Sequence, residues 1–116
     1  MITKSHYFDF IVPGGGVALI RCLDSLDTVI VANDDQKKGV DIIRHALIQP
    51  LHQIAKNSGM DASVIVNKVV EANDVNTGYD ASTGEFVNML DAGIIDPTKV
   101  HTYIIFINNH YKANCE

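Results

Sequence analysis

Pro13-Gly14-Gly15-Gly16-Val17-Ala18-Leu19-Ile20-Arg21 is the stretch on which the fold of this 116-residue chain turns. Beyond the glycines, Val17, Ile20 and Leu23, with Leu19 and Leu26, recur at helical spacing, while Arg21 and Asp24 fall elsewhere on the wheel. A helix therefore opens at the triple glycine, and Pro13 fixes the entry of the chain. Glycines at such a position let a ligand approach backbone N–H groups that have no intrahelical partner, and the helix dipole favours an anion there. The same residues serve equally as a turn packed close against a neighbour, and on the glycines alone that is the better reading. No Gly-Lys-Ser or Gly-Lys-Thr follows them, and no Gly-x-Gly-x-x-Gly lies between a strand and a helix.

Working outward, Asn33-Asp34-Asp35 supplies a cap and an acidic first turn for a second helix, whose apolar face is Val40, Ile43 and Leu47. Pro50 interrupts that pattern and predicts a third, shorter helix through Leu51, Ile54 and Ala55, closed by Gly59 as a left-handed C-cap. From Asp61 to Ala72 the β-branched residues Val64, Ile65, Val66, Val69 and Val70 would suit a strand, but the capping aspartate and the length favour a helix. Turn residues dominate from Asn73 to Gly93, with a small hairpin around Tyr79 and Phe86. Asp96-Pro97 predicts another helix start, the carboxylate as N-cap and the proline at the first helical position. Tyr103 to Ile107 is an aromatic and β-branched run, followed by a polar tail.

Composition narrows the function classes. Hydrophobic residues make up 47% and charged residues 20%, so the chain can build a core and is not a disordered acidic or basic tail. The net charge is −5 and the nine Lys and Arg are scattered, which argues against a nucleic-acid partner. No apolar run approaches the ~20 residues of a membrane span. Cys22 and Cys115 form no framework, and His6, His45, His52, His101 and His110 lack zinc spacing. Nothing marks a base beside Ser58, Ser63 or Cys22, so no nucleophile stands out. The first ten residues have neither a secretory core nor the composition of a transit peptide.

Two further features carry binding chemistry. Asp80-Ala81-Ser82 is a small polar turn against which a flat ring could lie, although a hairpin turn alone explains it. Asp96 is explained by capping, yet a carboxylate at a loop end also accepts hydrogen bonds from ribose hydroxyls.

Ile11-Val-Pro-Gly-Gly-Gly-Val-Ala-Leu-Ile-Arg21, Asp35-Gln-Lys-Lys-Gly39, Gln49-Pro-Leu-His-Gln-Ile-Ala-Lys-Asn57, Gly78-Tyr-Asp-Ala-Ser-Thr-Gly-Glu-Phe86 and Gly93-Ile-Ile-Asp-Pro-Thr-Lys-Val100 follow one another along the chain. In this order they resemble the equatorial domain of group I (GroEL-type) chaperonins. Bacterial members often carry Asn where Asp80 stands. Arg21-Cys22, Ser25-Leu26-Asp27 and Phe86-Val-Asn-Met89 look more like the mitochondrial branch.

The resemblance implies a mainly α fold, a helical piece of the ATP-binding equatorial domain with a small β-hairpin. It implies a partial chaperonin domain over residues 11–100, with residues 1–10 and 101–116 outside the family pattern. Gly15 would face the nucleotide through its backbone, Asp80, Ala81 and Ser82 would line the adenine, and Asp96 would hold the ribose. The implied cofactor is ATP, with Mg²⁺ in the intact site, and the implied role is assistance of protein folding. Partners would be other chaperonin subunits in a ring and a co-chaperonin, with unfolded clients held by an apical domain that this chain lacks. The family's catalytic aspartate lies upstream of the triple glycine and Asp9 is too close to replace it, so the ATPase activity of the family is not expected of this chain by itself. The branch implies a mitochondrial matrix or bacterial-type cytoplasm. The competing expectation is a non-enzymatic helical interaction module, or a decayed or partial gene product.

Overall fold

Two helices of unequal length form the frame of the fold. The computed structural model describes residues 11–98. In order these form β1 (Ile11–Pro13), α1 (Val17–Arg21), α2 (Leu23–Leu26), α3 (Asp34–Asn57), α4 (Ala62–Glu71), β2 (Thr77–Asp80), β3 (Glu85–Asn88) and β4 (Ile95–Pro97). The architecture is mainly α, with two separate two-stranded antiparallel sheets, β1–β4 and β2–β3.

The local start and stop signals act as the sequence predicts. The Asn33 side chain accepts from the Gln36 amide at 2.9 Å, and the Gln36 side chain accepts from the Ala32 amide at 2.8 Å, so two donors at the head of α3 are satisfied reciprocally. At its far end Gly59 takes φ +77, its amide bonds to the Lys56 carbonyl, and the Met60 amide bonds to the Ala55 carbonyl. That pair of bonds is a Schellman closure, which turns the chain sharply into α4. Asp61 then caps α4, its Oδ1 accepting from the Ser63 and Val64 amides.

Pro50 does not divide the helix. α3 runs unbroken through it, contrary to the expectation of a third helix beginning there. A proline inside a helix costs about 3 kcal/mol through the lost bond and the ring clash. Packing on both sides offsets it, because Leu47 and Ile48 are packed against the core before the proline and Leu51 and Ala55 are fully buried after it. Ala46, whose carbonyl loses its donor, is exposed to water.

The helix opened by the glycines is also shorter than its periodicity implies. α1 has five residues and α2 four, and they meet at Cys22, where Cys22 N–Leu19 O and Ser25 N–Cys22 O bonds span three residues instead of four. Val17, Ile20 and Leu23 still point into one core, with Leu51, Ala55, Ile65, Val66 and Val69 from the long helices and Tyr79 and Met89 from the hairpin region. Among the described residues this core contains no buried polar or charged residue.

The hairpin lies where Tyr79 and Phe86 predict it. These two are cross-strand partners, with ring centroids 5.6 Å apart, and Lys68 of α4 lies 5.4 Å from the Phe86 centroid. Tyr79 is buried and its hydroxyl meets Ser58 Oγ at 3.2 Å, which joins the hairpin to the end of α3.

At Asp96-Pro97 the structure differs from the predicted helix start. Both residues belong to β4, Asp96 opposite Val12 and Pro97 opposite Ile11, and helical geometry begins only at Thr98. Proline drives the residue before it toward extended conformations. In a two-stranded ribbon a proline can sit where no ladder donor is required. The expectations placed on residues 1–10 and beyond Thr98 lie outside the described residues.

Candidate functional site

Three distant parts of the chain meet at the glycine turn. The Gly14 amide donates to the Ile94 carbonyl at 2.8 Å, which draws the approach to β4 alongside the end of β1. Gly15 has φ +65, and a Cβ placed on it would lie 2.7 Å from Met89 Cε, 3.9 Å from the Tyr79 carbonyl oxygen and 4.0 Å from Ile94 Cγ2. Gly16 has φ +80, and a Cβ there would lie 2.8 Å from the Leu51 backbone nitrogen. Each of the three glycines thus has a packing reason, and the turn's close approach to β2, α3 and Ile94 explains them without any ligand. The Val17 amide returns to the Gly14 carbonyl at 3.2 Å, whereas no backbone carbonyl among the described residues accepts from Gly15.

Asp80 is the next residue after Tyr79 and ends β2. Its Oδ1 accepts from the Ser82 amide at 2.9 Å and from the Ser82 hydroxyl at 2.6 Å. These bonds, the hydroxyl's first, hold the carboxyl below its ordinary value of 3.8. Whatever support the ionised group lends the turn is therefore present above pH 3.8 and lost as the pH falls through the lower, folded-state value. Ser82→Ala is expected to raise the Asp80 midpoint toward 3.8, read from its side-chain carboxyl resonance, with the residue-82 amide still donating; an unmoved midpoint would exclude the Ser82 hydroxyl as the leading cause. Ala81 and Ser82 are exposed in the turn beyond the strand ends, and the Gly84 amide closes that turn on the Asp80 carbonyl at 2.8 Å.

Asp96 is half-buried in the β1–β4 ribbon, two residues past Ile94. The segments bearing Gly15, Asp80 and Asp96 are thus neighbours at the turn, and Ala81 and Ser82 stand at the hairpin tip next to Asp80. The anion-binding argument from a helix N-terminus loses force, because α1 is barely more than one turn and sums few peptide dipoles. Among the described residues no group of three or more His, Cys, Asp or Glu is arranged to hold a metal ion.

The family model of the TCP-1/cpn60 chaperonins matches residues 2–107. The chain belongs to the TCP-1/cpn60 chaperonin family. The match runs past both ends of the Ile11–Val100 stretch. Among solved structures, the chain is similar to the open-state monomer of a group II chaperonin from Methanococcoides burtonii, with a TM-score of 0.68 and 25% sequence identity. The similarity covers 80% of this chain and 24% of that one, so this chaperonin chain spans about a quarter of the length of that subunit.

Two residues that sequence reasoning passed over hold this neighbourhood of the chaperonin chain together. Arg21, read only as a polar position on the helix wheel, spreads its guanidinium over four backbone carbonyls: Val69 at 2.9 Å, Asp74 at 3.2 Å, Val75 at 2.9 Å and Thr77 at 3.0 Å. It closes the C-terminal end of α4 and fixes the loop that delivers β2. Met89, read as part of a family motif, is fully buried beneath Gly15. A planar five-donor cation next to a glycine-led helix is the only advance signal for the first, and nothing local marks the second.

Proposed function

We propose that this chain contributes the adenine- and ribose-facing part of the ATP site of a group I chaperonin subunit, and that it acts within a protein-folding ring of such subunits. The observation that carries the reading is the meeting of three distant segments at one turn: Gly15, the end of β2 that leads to Asp80, and the ribbon that holds Asp96. Gly15 offers a backbone amide that no described carbonyl occupies. Exposed Ala81 and Ser82, with half-buried Asp80 beside them, form an edge against which a purine could lie, and the Asp96 carboxylate would accept from ribose hydroxyls.

The group I assignment rests on the ordered segments between Ile11 and Val100, and the mitochondrial-type branch within it on Arg21-Cys22, Ser25-Leu26-Asp27 and Phe86–Met89; the assignment implies a mitochondrial matrix or bacterial-type cytoplasm. Ring contacts with other subunits follow from the family, and co-chaperonin and client binding belong to the whole subunit. No step of phosphate transfer is assigned to these residues, and magnesium would arrive with the nucleotide.

Calorimetric titration of the full chain with Mg·ATP tests the reading. Saturable binding is expected, weakened about tenfold by Asp96→Ala, the loss that goes with one or two hydrogen bonds. Equal affinity of the parent and Asp96→Ala chains would remove the ribose role, and the absence of binding would remove the nucleotide reading.

A further inference from the structure

One residue ties together the three segments that meet at the glycine turn. Met89 follows β3, and its amide donates to the Asn76 carbonyl at 2.9 Å, which extends the β2–β3 ladder by one bond. Its carbonyl accepts from the Ile94 amide at 2.9 Å, and the Ile94 carbonyl in turn accepts from Gly14 at 2.8 Å. The side chain fills the space that two glycines leave open. A Cβ at Gly15 would stand 2.7 Å from Met89 Cε, and a Cβ at Gly78, two residues before Asp80, would stand 2.6 Å from Met89 Cγ and 2.8 Å from Sδ. The backbone of Met89 thus links β2 to the approach of β4, and its thioether lies directly under Gly15.

An unbranched, polarizable side chain suits that task. It threads between two backbones too close for a Cβ, and its three rotatable bonds let the methyl group reach Gly15 while Cγ and Sδ rest on Gly78. Fully buried, it has no room to withdraw.

The geometry points to Met89 as a positioning residue of the nucleotide site: its side chain sets the height of the Gly15 backbone relative to the Asp80 turn and to Asp96. This rests on the nucleotide reading above. A shortened side chain releases the Gly15 backbone from its support while the hydrogen bonds at residue 89 remain, so recognition suffers through misplacement and not through a lost contact. Misplacing a binding group by an ångström costs on the order of ten- to a hundredfold.

The test uses the full chain as Met89→Ala, as Met89→Leu and as Ile65→Ala, the last being a buried control in α4. Each is held below its own unfolding midpoint, and both Mg·ADP affinity and backbone amide resonances are recorded. Met89→Ala is expected to weaken binding about tenfold or more, with amide shifts at Gly15, Gly78, Asp80 and Asp96 already present without nucleotide. Met89→Leu, close in volume, is expected to restore affinity to within about threefold, and Ile65→Ala to leave it within about twofold despite comparable loss of stability.

Unchanged affinity in a folded Met89→Ala chain, or an equal loss in Ile65→Ala, would overturn the assignment. Should the parent chain bind no nucleotide, the nucleotide reading fails, and the amide shifts then decide whether Met89 positions the turn. Concerted movement of Gly15, Asp80 and Asp96 would uphold that, and shifts confined to Gly78 would overturn it.

Discussion

Gly16→Ala is expected to lower the stability of the folded chain by about 3 kcal/mol or more, a fall in melting temperature of about 12 °C for a domain of this size. Two costs combine. The residue sits at φ +80, where an L side chain costs about 1–2 kcal/mol. Its new Cβ would also stand 2.8 Å from the backbone nitrogen of Leu51, an atom that cannot swing aside because it lies within α3 next to Pro50. Gly15→Ala carries a similar left-handed penalty at φ +65, but its Cβ would meet a side-chain methyl, Met89 Cε, and no backbone atom closer than 3.9 Å, so it should cost less. Gly39→Ala supplies the opposite sign: it lies inside α3 with nothing within 4 Å of its would-be Cβ, so alanine there should stabilise by up to about 1 kcal/mol. Thermal unfolding followed by circular dichroism measures all three. A Gly16→Ala chain as stable as the parent would show that the turn does not pack on α3 as described.

The second large effect belongs to Arg21. Replacing it with methionine keeps most of the stem and removes every donor, leaving the Val69, Asp74, Val75 and Thr77 carbonyls without their shared partner. Hydrogen bonds from a charged donor contribute about 1.5–3 kcal/mol each when buried. Two of these four are exposed and water can replace them, so the net loss expected is about 3 kcal/mol. Arg21→Lys should recover little, because a point-like ammonium cannot reach four acceptors spread across a fork. The loss should also be local at first. Amide exchange should quicken at the end of α4 and through β2 before it does in α3. Uniform exchange across the chain, or full rescue by lysine, would contradict this role.

How much of this was legible in the sequence depends on how far each cause lies along the chain. Asn33, Asp61 and Gly59 act on residues within one helical turn, and Tyr79 meets Phe86 across a short hairpin, so these features announce themselves. The β1–β4 ribbon does not. Its strands have three residues each, both contain proline, and they come from opposite ends of the described chain. The same pairing turns Asp96-Pro97 from a helix start into strand. Pro50 misleads in another way, since its local cost is real and is outweighed by burial of Leu51 and Ala55 that the flanking residues alone do not reveal.

The candidate residues Gly15, Asp80, Ala81, Ser82 and Asp96 were found through resemblance and not through local chemistry. Physically this is because each has a sufficient structural role by itself: a tight turn, a capped hairpin loop, a strand position. Only their neighbourhood sets them apart. Arg21 and Met89 create that neighbourhood, and their partners lie elsewhere in the chain, where no pattern of spacing points to them.

The central claim is that this neighbourhood at the glycine turn is where a nucleotide rests. Amide resonances of the ¹⁵N-labelled full chain, followed during titration with Mg·ATP, test it most directly. The account predicts saturable shifts that are largest at Gly15, Asp80, Ala81, Ser82 and Asp96, with α4 little changed. Saturable shifts centred on the exposed side of α3, or none at millimolar nucleotide, would contradict it.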